Sequence, residues 1–155
     1  MSNQVNPSEQ NPPQALIRLK RGVYQFRITD AEKTKTQKTG DSMLVLTCEV
    51  INHPPITIGD REVNVNGIEI TDYKVLTDKT LPYVNLLHRA LGMPEIQAHE
   101  ISLVEASAYK GADFYAVAES KDEPMLDEDK NPMMNPHTGQ PLMLSKRKFV
   151  SFIER

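Results

Sequence analysis

Between Gly22 and Thr29 the chain alternates without a break: Tyr24, Phe26 and Ile28 are apolar, while Gln25, Arg27 and Thr29 are polar. A period of two marks a strand with one buried face, because successive side chains leave a strand on opposite sides. A second run, from Met43 to Ile51, puts Leu44, Leu46, Cys48 and Val50 on one face. Met43, Val45, Thr47 and Glu49 fall on the other. The polar connection between the two runs carries the turn signal Thr39-Gly40-Asp41. Two such runs around a polar turn predict a long hairpin.

Further strands follow. His53-Pro54-Pro55 ends the second strand, since proline donates nothing to a ladder. A third strand region runs from Ile56 to about Tyr73, broken near Gly59-Asp60, with a bulge expected at Asn66-Gly67. Then comes a helix. Asp78 or Thr80 can cap it, Pro82 suits its first turn, and Tyr83, Val84, Leu87 and Leu91 sit at helical spacing before Gly92 stops it. A shorter helix fits Glu100 to Ala108. A fourth strand spans Phe114 to Ala118, and a last one Leu144 to Ile153. Between them Asp122 to Pro141 contains NPMMNPHTGQP and reads as a long irregular loop. The order predicts a mainly β, OB-fold-like five-stranded antiparallel Greek-key barrel with one helix between strands 3 and 4. Other antiparallel barrels and sandwiches fit the same order.

A length of 155 residues suits one domain. Residues 1–16, rich in Asn, Gln, Pro and Ser, read as a disordered tail, leaving 17–155 as the domain. The start MSNQVNPSEQNPPQ lacks the apolar core of a signal peptide. No apolar run reaches the ~20 residues that a membrane helix needs. The single cysteine, Cys48, permits neither an intramolecular disulfide nor a Cys-rich zinc site, and points to a reducing, cytoplasmic setting. Net charge is −3 but unevenly spread. Arg18, Lys20, Arg21, Arg27, Lys33, Lys35 and Lys38 against Asp30 and Glu32 give Arg18–Lys38 a net +5. Six carboxylates against Lys121 and Lys130 give Glu119–Lys130 a net −4. A moderately acidic chain can still present one positive face.

The elements Tyr24-Phe26-Ile28, Thr36 to Gly40, Met43-Leu44-Leu46-Glu49-Val50, Leu86-Leu87-Ala90-Leu91-Gly92 and Gly111-Phe114-Ala116-Ala118 form a recurring pattern. Through them the chain resembles a family of bacteriophage single-stranded DNA-binding proteins, together with related phage domain families of unassigned function. The likeness covers roughly residues 20 to 120 and the final strand, and it rests mostly on core and turn positions. It implies an OB-fold that binds single-stranded DNA without sequence preference. Bacterial proteins of that function end in an acidic tail with a terminal Phe. Here the acidic block lies internally, from Asp122 to Lys130, and the chain ends KRKFVSFIER.

Candidate DNA contacts are Lys20, Arg21, Arg27, Lys33, Lys35 and Lys38 around the first hairpin, Tyr73 and Lys74 on the third strand region, Tyr115, and Lys146, Lys148 and Phe152 on the last strand. Lysines on a loop at the rim of the groove neutralise phosphates, although lysines at a hairpin tip also guard an edge against pairing. Lys146 and Lys148 share one face and Arg147 takes the other. Tyr73, Tyr109, Tyr115 and Phe152 have the phase to point outward, where aromatic faces stack on bases. Phe26, Phe114 and Phe149 read as core, Tyr24 fits the core as well, and His88 reads as a surface or boundary residue. Enzyme signatures are lacking. The four histidines are scattered, Asp127-Glu128-Asp129 lacks the glycine and terminal glutamate of a calcium loop, and no phosphate loop or nucleophile motif occurs. The expectation is a binding protein without catalysis, cofactor or metal. Its partner would be single-stranded DNA, with replication or recombination proteins, or further copies of itself, alongside. The alternative is an assembly module on the same barrel that binds no DNA and buries Phe152 between chains.

Overall fold

The computed structural model describes residues 17–155, so the expected tail at residues 1–16 lies outside the described residues. The chain forms a five-stranded antiparallel sheet from β1 (Gly22–Lys35), β2 (Ser42–Ile51), β5 (Glu69–Val75), β6 (Asp113–Pro124) and β7 (Met143–Phe152). A separate two-stranded ribbon pairs β3 (Ile56–Ile58) with β4 (Arg61–Val63). One α-helix, α1 (Leu81–Leu91), links β5 to β6. In the large sheet the spatial order is β5-β2-β1-β6-β7.

The alternation of β1 and β2 is realised as a buried face of Tyr24, Phe26, Ile28, Leu44, Leu46, Cys48 and Val50. They pack against Val84, Leu87, Ala90 and Leu91 of α1 and against Phe114, Ala116 and Ala118 of β6. Ahead of β1, Ile17 and Leu19 are also buried. Leu19 exchanges backbone contacts with Ser120: its N–H donates to Ser120 Oγ (2.8 Å), and its carbonyl accepts from Ser120 N–H (2.9 Å). The α1 helix begins after Thr80 and has Pro82 in its first turn. It stops at Gly92, whose φ of 71° lies where only glycine is unstrained.

Three expectations about the middle of the chain need correction. The third strand region divides, so five strands precede α1 rather than three. Asn66-Gly67 makes a turn between β4 and β5, not a bulge, and the Asn66 side chain both donates to the His53 carbonyl and accepts from the His53 N–H (2.9 Å each). The shorter helix is two 3-10 segments, Ala98–Leu103 and Ala106–Ala108, parted by extended backbone at Val104 and Glu105.

The bulges fall elsewhere. In β1, Ile28 pairs with Cys48 but Asp30 pairs with Thr47, leaving Thr29 as an extra residue. In β7, Phe152 pairs with Ala116 but Phe149 pairs with Ala118, so Val150 is extra. One added residue reverses the phase of everything beyond it.

The sheet does not close into a barrel, because β5 and β7 end it as unpaired edges. Side chains cross the gap in place of a backbone ladder. Arg147 donates to the Glu69 carbonyl of β5 (3.4 Å) and to that of Ile17 (3.3 Å). The Lys74 ammonium stands 4.8 Å from the centre of the Phe152 ring. Beneath it Phe26, Phe114, Phe149 and Phe152 form one aromatic cluster with centroids 4.9–5.7 Å apart.

Cys48 sits in the middle of the covered face, and burial, with a smaller contribution from Asp72, pushes its thiol far above the ordinary range. Only thiolate reacts readily. An aromatic disulfide reagent should therefore label Cys48 no faster than the chain unfolds globally. Rapid labelling under native conditions would contradict that burial.

Candidate nucleic-acid interface

The residues singled out from the sequence go to several separate places. Lys33, Lys35 and Lys38 lie at the far end of the β1–β2 hairpin, but only Lys38 is in the turn, because β1 runs on to Lys35. Beyond the Thr29 bulge, Lys33 pairs with Leu44 and Lys35 with Ser42, so both lie on the core-side face of the sheet. The Lys33 ammonium donates to the Ser102 carbonyl (2.9 Å) and ties the hairpin to the 3-10 segment. Lys35 and Lys38 are exposed. The turn itself is held by Thr39 Oγ1, which donates to Asp41 Oδ2 (2.7 Å) and lies 2.6 Å from Thr36 Oγ1.

Arg27 is on the opposite, outer face, flanked across the ladders by Glu49 and Asp113. Asp113 also accepts from Arg155 (3.1 Å), and that bond, more than burial opposes it, holds its carboxyl below the usual range. Arg27 thus stands in register between two carboxylate-bearing positions.

Lys20 and Arg21 precede β1 at its other end, near Lys146 and Lys148 of β7. There Lys148 faces Glu119, and the Lys146 ammonium lies 3.3 Å from Glu123. As expected from the pattern, Arg147 takes the other face of the strand.

Lys74 and Phe152 are turned inward, against expectation. Lys74 shares the core-side face with Ile70, is only 13% exposed, and donates to Asp72 Oδ1 (3.2 Å), with Oδ2 at 2.9 Å off hydrogen-bond alignment. The Val150 bulge brings Phe152 to the same face as Phe149, so its ring joins the core cluster rather than a stacking surface. Two further side chains are deeper than their sequence context predicts. Tyr109 and His88 are 1% and 3% exposed and share a 2.6 Å hydrogen bond between Oη and Nε2. The Pro94 carbonyl can only accept, so His88 Nδ1–H donates to it (2.8 Å), and both ring nitrogens have partners. Burial raises the Tyr109 phenol to about 12.

Tyr73 and Tyr115 do face outward, at 60% and 46% exposure. They are not one platform. Tyr73 is level with Val45 and Glu32, whereas Tyr115 is level with Gln25, about 20 Å away along β1 at ~3.3 Å per residue.

What the fold does bring together is a strip the sequence left unassembled. On the outer face Met43 pairs with Val75, and Val45 with Tyr73. Met43 and Val75 floor an open depression of about 510 Å³ between the β1–β2 turn and the start of α1, with Thr36, Lys38 and Thr80 at its rim. The strip thus offers a cation, an apolar floor and one exposed aromatic ring in sequence. Met43 and Val75 carry no sequence signal for such a role, since alternation alone makes them ordinary outward residues. Among the described residues no cluster of His, Cys, Asp or Glu could hold a metal ion, and no helix is long and apolar enough to cross a membrane.

Residues 6–121 match the family described as Protein of unknown function (DUF669), and the chain belongs to that family. No curated protein matches it.

Two measurements check these placements. Phe152→Ala should cost roughly 2 kcal/mol in chemical denaturation, less than a fully buried phenylalanine, while Tyr73→Ala should stay within about 0.5 kcal/mol. Equal effects would mean that Phe152 is not part of the core. Because the folded Asp113 carboxyl is depressed, its bond to Arg155 stabilises the fold above the ordinary carboxylate value, and that stability is lost as pH falls through the folded value. Arg155→Ala should flatten the acid side of the stability–pH profile and leave its neutral-to-alkaline slope unchanged.

Proposed function

We propose that the chain is a sequence-independent single-stranded DNA-binding protein, without catalytic activity, acting in bacteriophage DNA replication or recombination in the host cytoplasm. The observation that carries this reading is the outer strip from Lys38 across Met43 and Val75 to Tyr73. Single strands are held by cations along the backbone and by aromatic faces under the bases, and such a strip supplies both without hydrogen-bond readout. The strand order supports it too. Counting only the long strands, the order third, second, first, fourth, fifth is that of an OB-fold opened between its third and fifth strands. In that fold the face of strands 2 and 3, with the loops after strands 1 and 4, takes oligonucleotides. Tyr73 and the lysine-bearing turn occupy those places.

The test is a fluorescence titration with oligo-dT at several salt concentrations. Affinity should fall with salt at a slope of about −0.7 per neutralised phosphate. Lys35→Ala with Lys38→Ala should make the slope about 1.4 units shallower. Tyr73→Ala should lose ~1–3 kcal/mol of binding. Duplex DNA bound as tightly as the single strand, or binding indifferent to salt, would sink the proposal. A complete lack of oligonucleotide binding would select the assembly-module reading, which is favoured by a methionine-rich arm at the end of β6.

A further inference from the structure

Asp122–Pro141, expected to be a long irregular loop, is an arm without regular strands beyond Pro124, made of turns and the isolated bridges Leu126–Pro132 and Met134–Pro141. Strand β6 extends into it as far as Pro124, and β7 begins just beyond it at Met143. Backbone bonds then continue the hairpin: Met125 N–H donates to the Leu142 carbonyl, Met133 N–H to Met125, and Leu142 N–H to Met133 (2.8 Å each). Two turns complete it. Asp127 Oδ1 accepts from the N–H groups of Asp129 and Asn131 (2.9 Å each), and Asn135 Oδ1 accepts from His137 N–H (2.8 Å). An arm so well pinned nevertheless leaves Met125, Leu126, Met133 and Met134 exposed. Clustered exposed apolar side chains mark an interaction surface, and methionine suits one because its unbranched thioether adapts to irregular partners. The first turn adds Asp127, Glu128 and Asp129, all exposed.

The hairpin end of the molecule is the complement of this arm. It carries exposed Lys38 at the rim of the depression floored by Met43 and Val75, and exposed Lys35 at the end of β1 on the other face of the sheet. The two cannot meet within one chain. The β1–β2 turn lies beyond the Lys35 end of β1, while β6 runs antiparallel past its Gly22 end before the arm begins. Fourteen residues of β1 alone span about 45 Å.

We propose that the arm of one copy seats on the hairpin end of a second copy, its acidic turn against Lys35 and Lys38 and its methionines against Met43 and Val75. The contact joins two different surfaces, so each bound copy still offers a free arm and a free hairpin end. Association is therefore head-to-tail and does not stop at two copies. It needs no nucleic acid.

Sedimentation velocity on the full chain over a concentration series tests this. The mean mass should climb with concentration past that of a dimer, and less steeply at high salt, since exposed charges are screened within ~8–10 Å. Two charge-reversed proteins decide the contact: Glu128→Lys with Asp129→Lys, and Lys35→Glu with Lys38→Glu. Asp127 is spared because its carboxylate holds the turn. Each alone should associate about tenfold more weakly. Mixed in equal amounts they should grow again, because every arm then has an oppositely charged hairpin end to meet. A parent chain that stays single throughout, a dimer that neither grows nor responds to the reversals, or a mixture of two folded variants that fails to recover would each overturn the proposal. Circular dichroism of both variants establishes that they are folded.

Discussion

The gap between β5 and β7 decides the character of this fold. Two sheet edges lie across from one another, yet no backbone ladder joins them. Instead the Lys74 ammonium caps the Phe152 ring, and Arg147 reaches across to a carbonyl of β5. An inward-facing charge on an edge strand discourages pairing with a foreign strand, because docking there would bury the charge. Here the Asp72–Lys74 pair stands at that place, with the ammonium shared between a carboxylate and an aromatic face. The aromatic cluster below packs β7 against β1 and β6, and presents the Phe152 ring to Lys74 of β5. Centroid spacings of 4.9–5.7 Å, in tilted, edge-on and stacked pairs, fall in the range that rings prefer.

Much of the frame was legible from periodicity. Tyr24, Phe26 and Ile28 and then Leu44, Leu46, Cys48 and Val50 announce the buried face, and Thr80, Pro82 and Gly92 bracket the helix. The failures share one physical origin. Alternation tells which residues are together only as long as the count is unbroken, and a bulge adds one residue without altering the composition of a strand. Thr29 and Val150 are unremarkable residues, but they reassign Lys33, Lys35 and Phe152 to the inner face. His88 and Tyr109 failed for a different reason. Tyr109 has the phase to point outward and His88 reads as a surface or boundary residue, but their mutual hydrogen bond, with that of His88 to the Pro94 carbonyl, satisfies both when buried.

The candidate site was less legible than the fold. Lysine number predicted a groove lined by many cations, and the structure distributes them instead. Arg27 sits between carboxylates, Lys33 binds a carbonyl, and Lys146 lies beside Glu123. What remains in reach of a phosphate at the hairpin end is Lys35 and Lys38. The neighbouring apolar floor comes from Met43 and Val75, which are side by side only because β2 and β5 pair in that register. Register is a tertiary quantity, fixed by the core faces of both strands at once. The prolines of the arm told only that no regular strand runs there. Pro132, Pro136 and Pro141 argue against a regular strand, yet asparagine and aspartate side chains supply the missing turn bonds.

Strand β1 belongs to two neighbourhoods. From Gly22 to Arg27 it is central, bonded to β2 on one side and β6 on the other. The Ile28 N–H and carbonyl still find Ala112 and Gly111. Past the bulge, β6 has left, and one edge of the strand faces outward as far as Lys35. Backbone amides report such a change directly, because local opening is easiest where a strand has one neighbour instead of two. Deuterium uptake along this single strand would therefore divide at Thr29: slow, core-like exchange before it and faster exchange after it, within one unbroken run of residues.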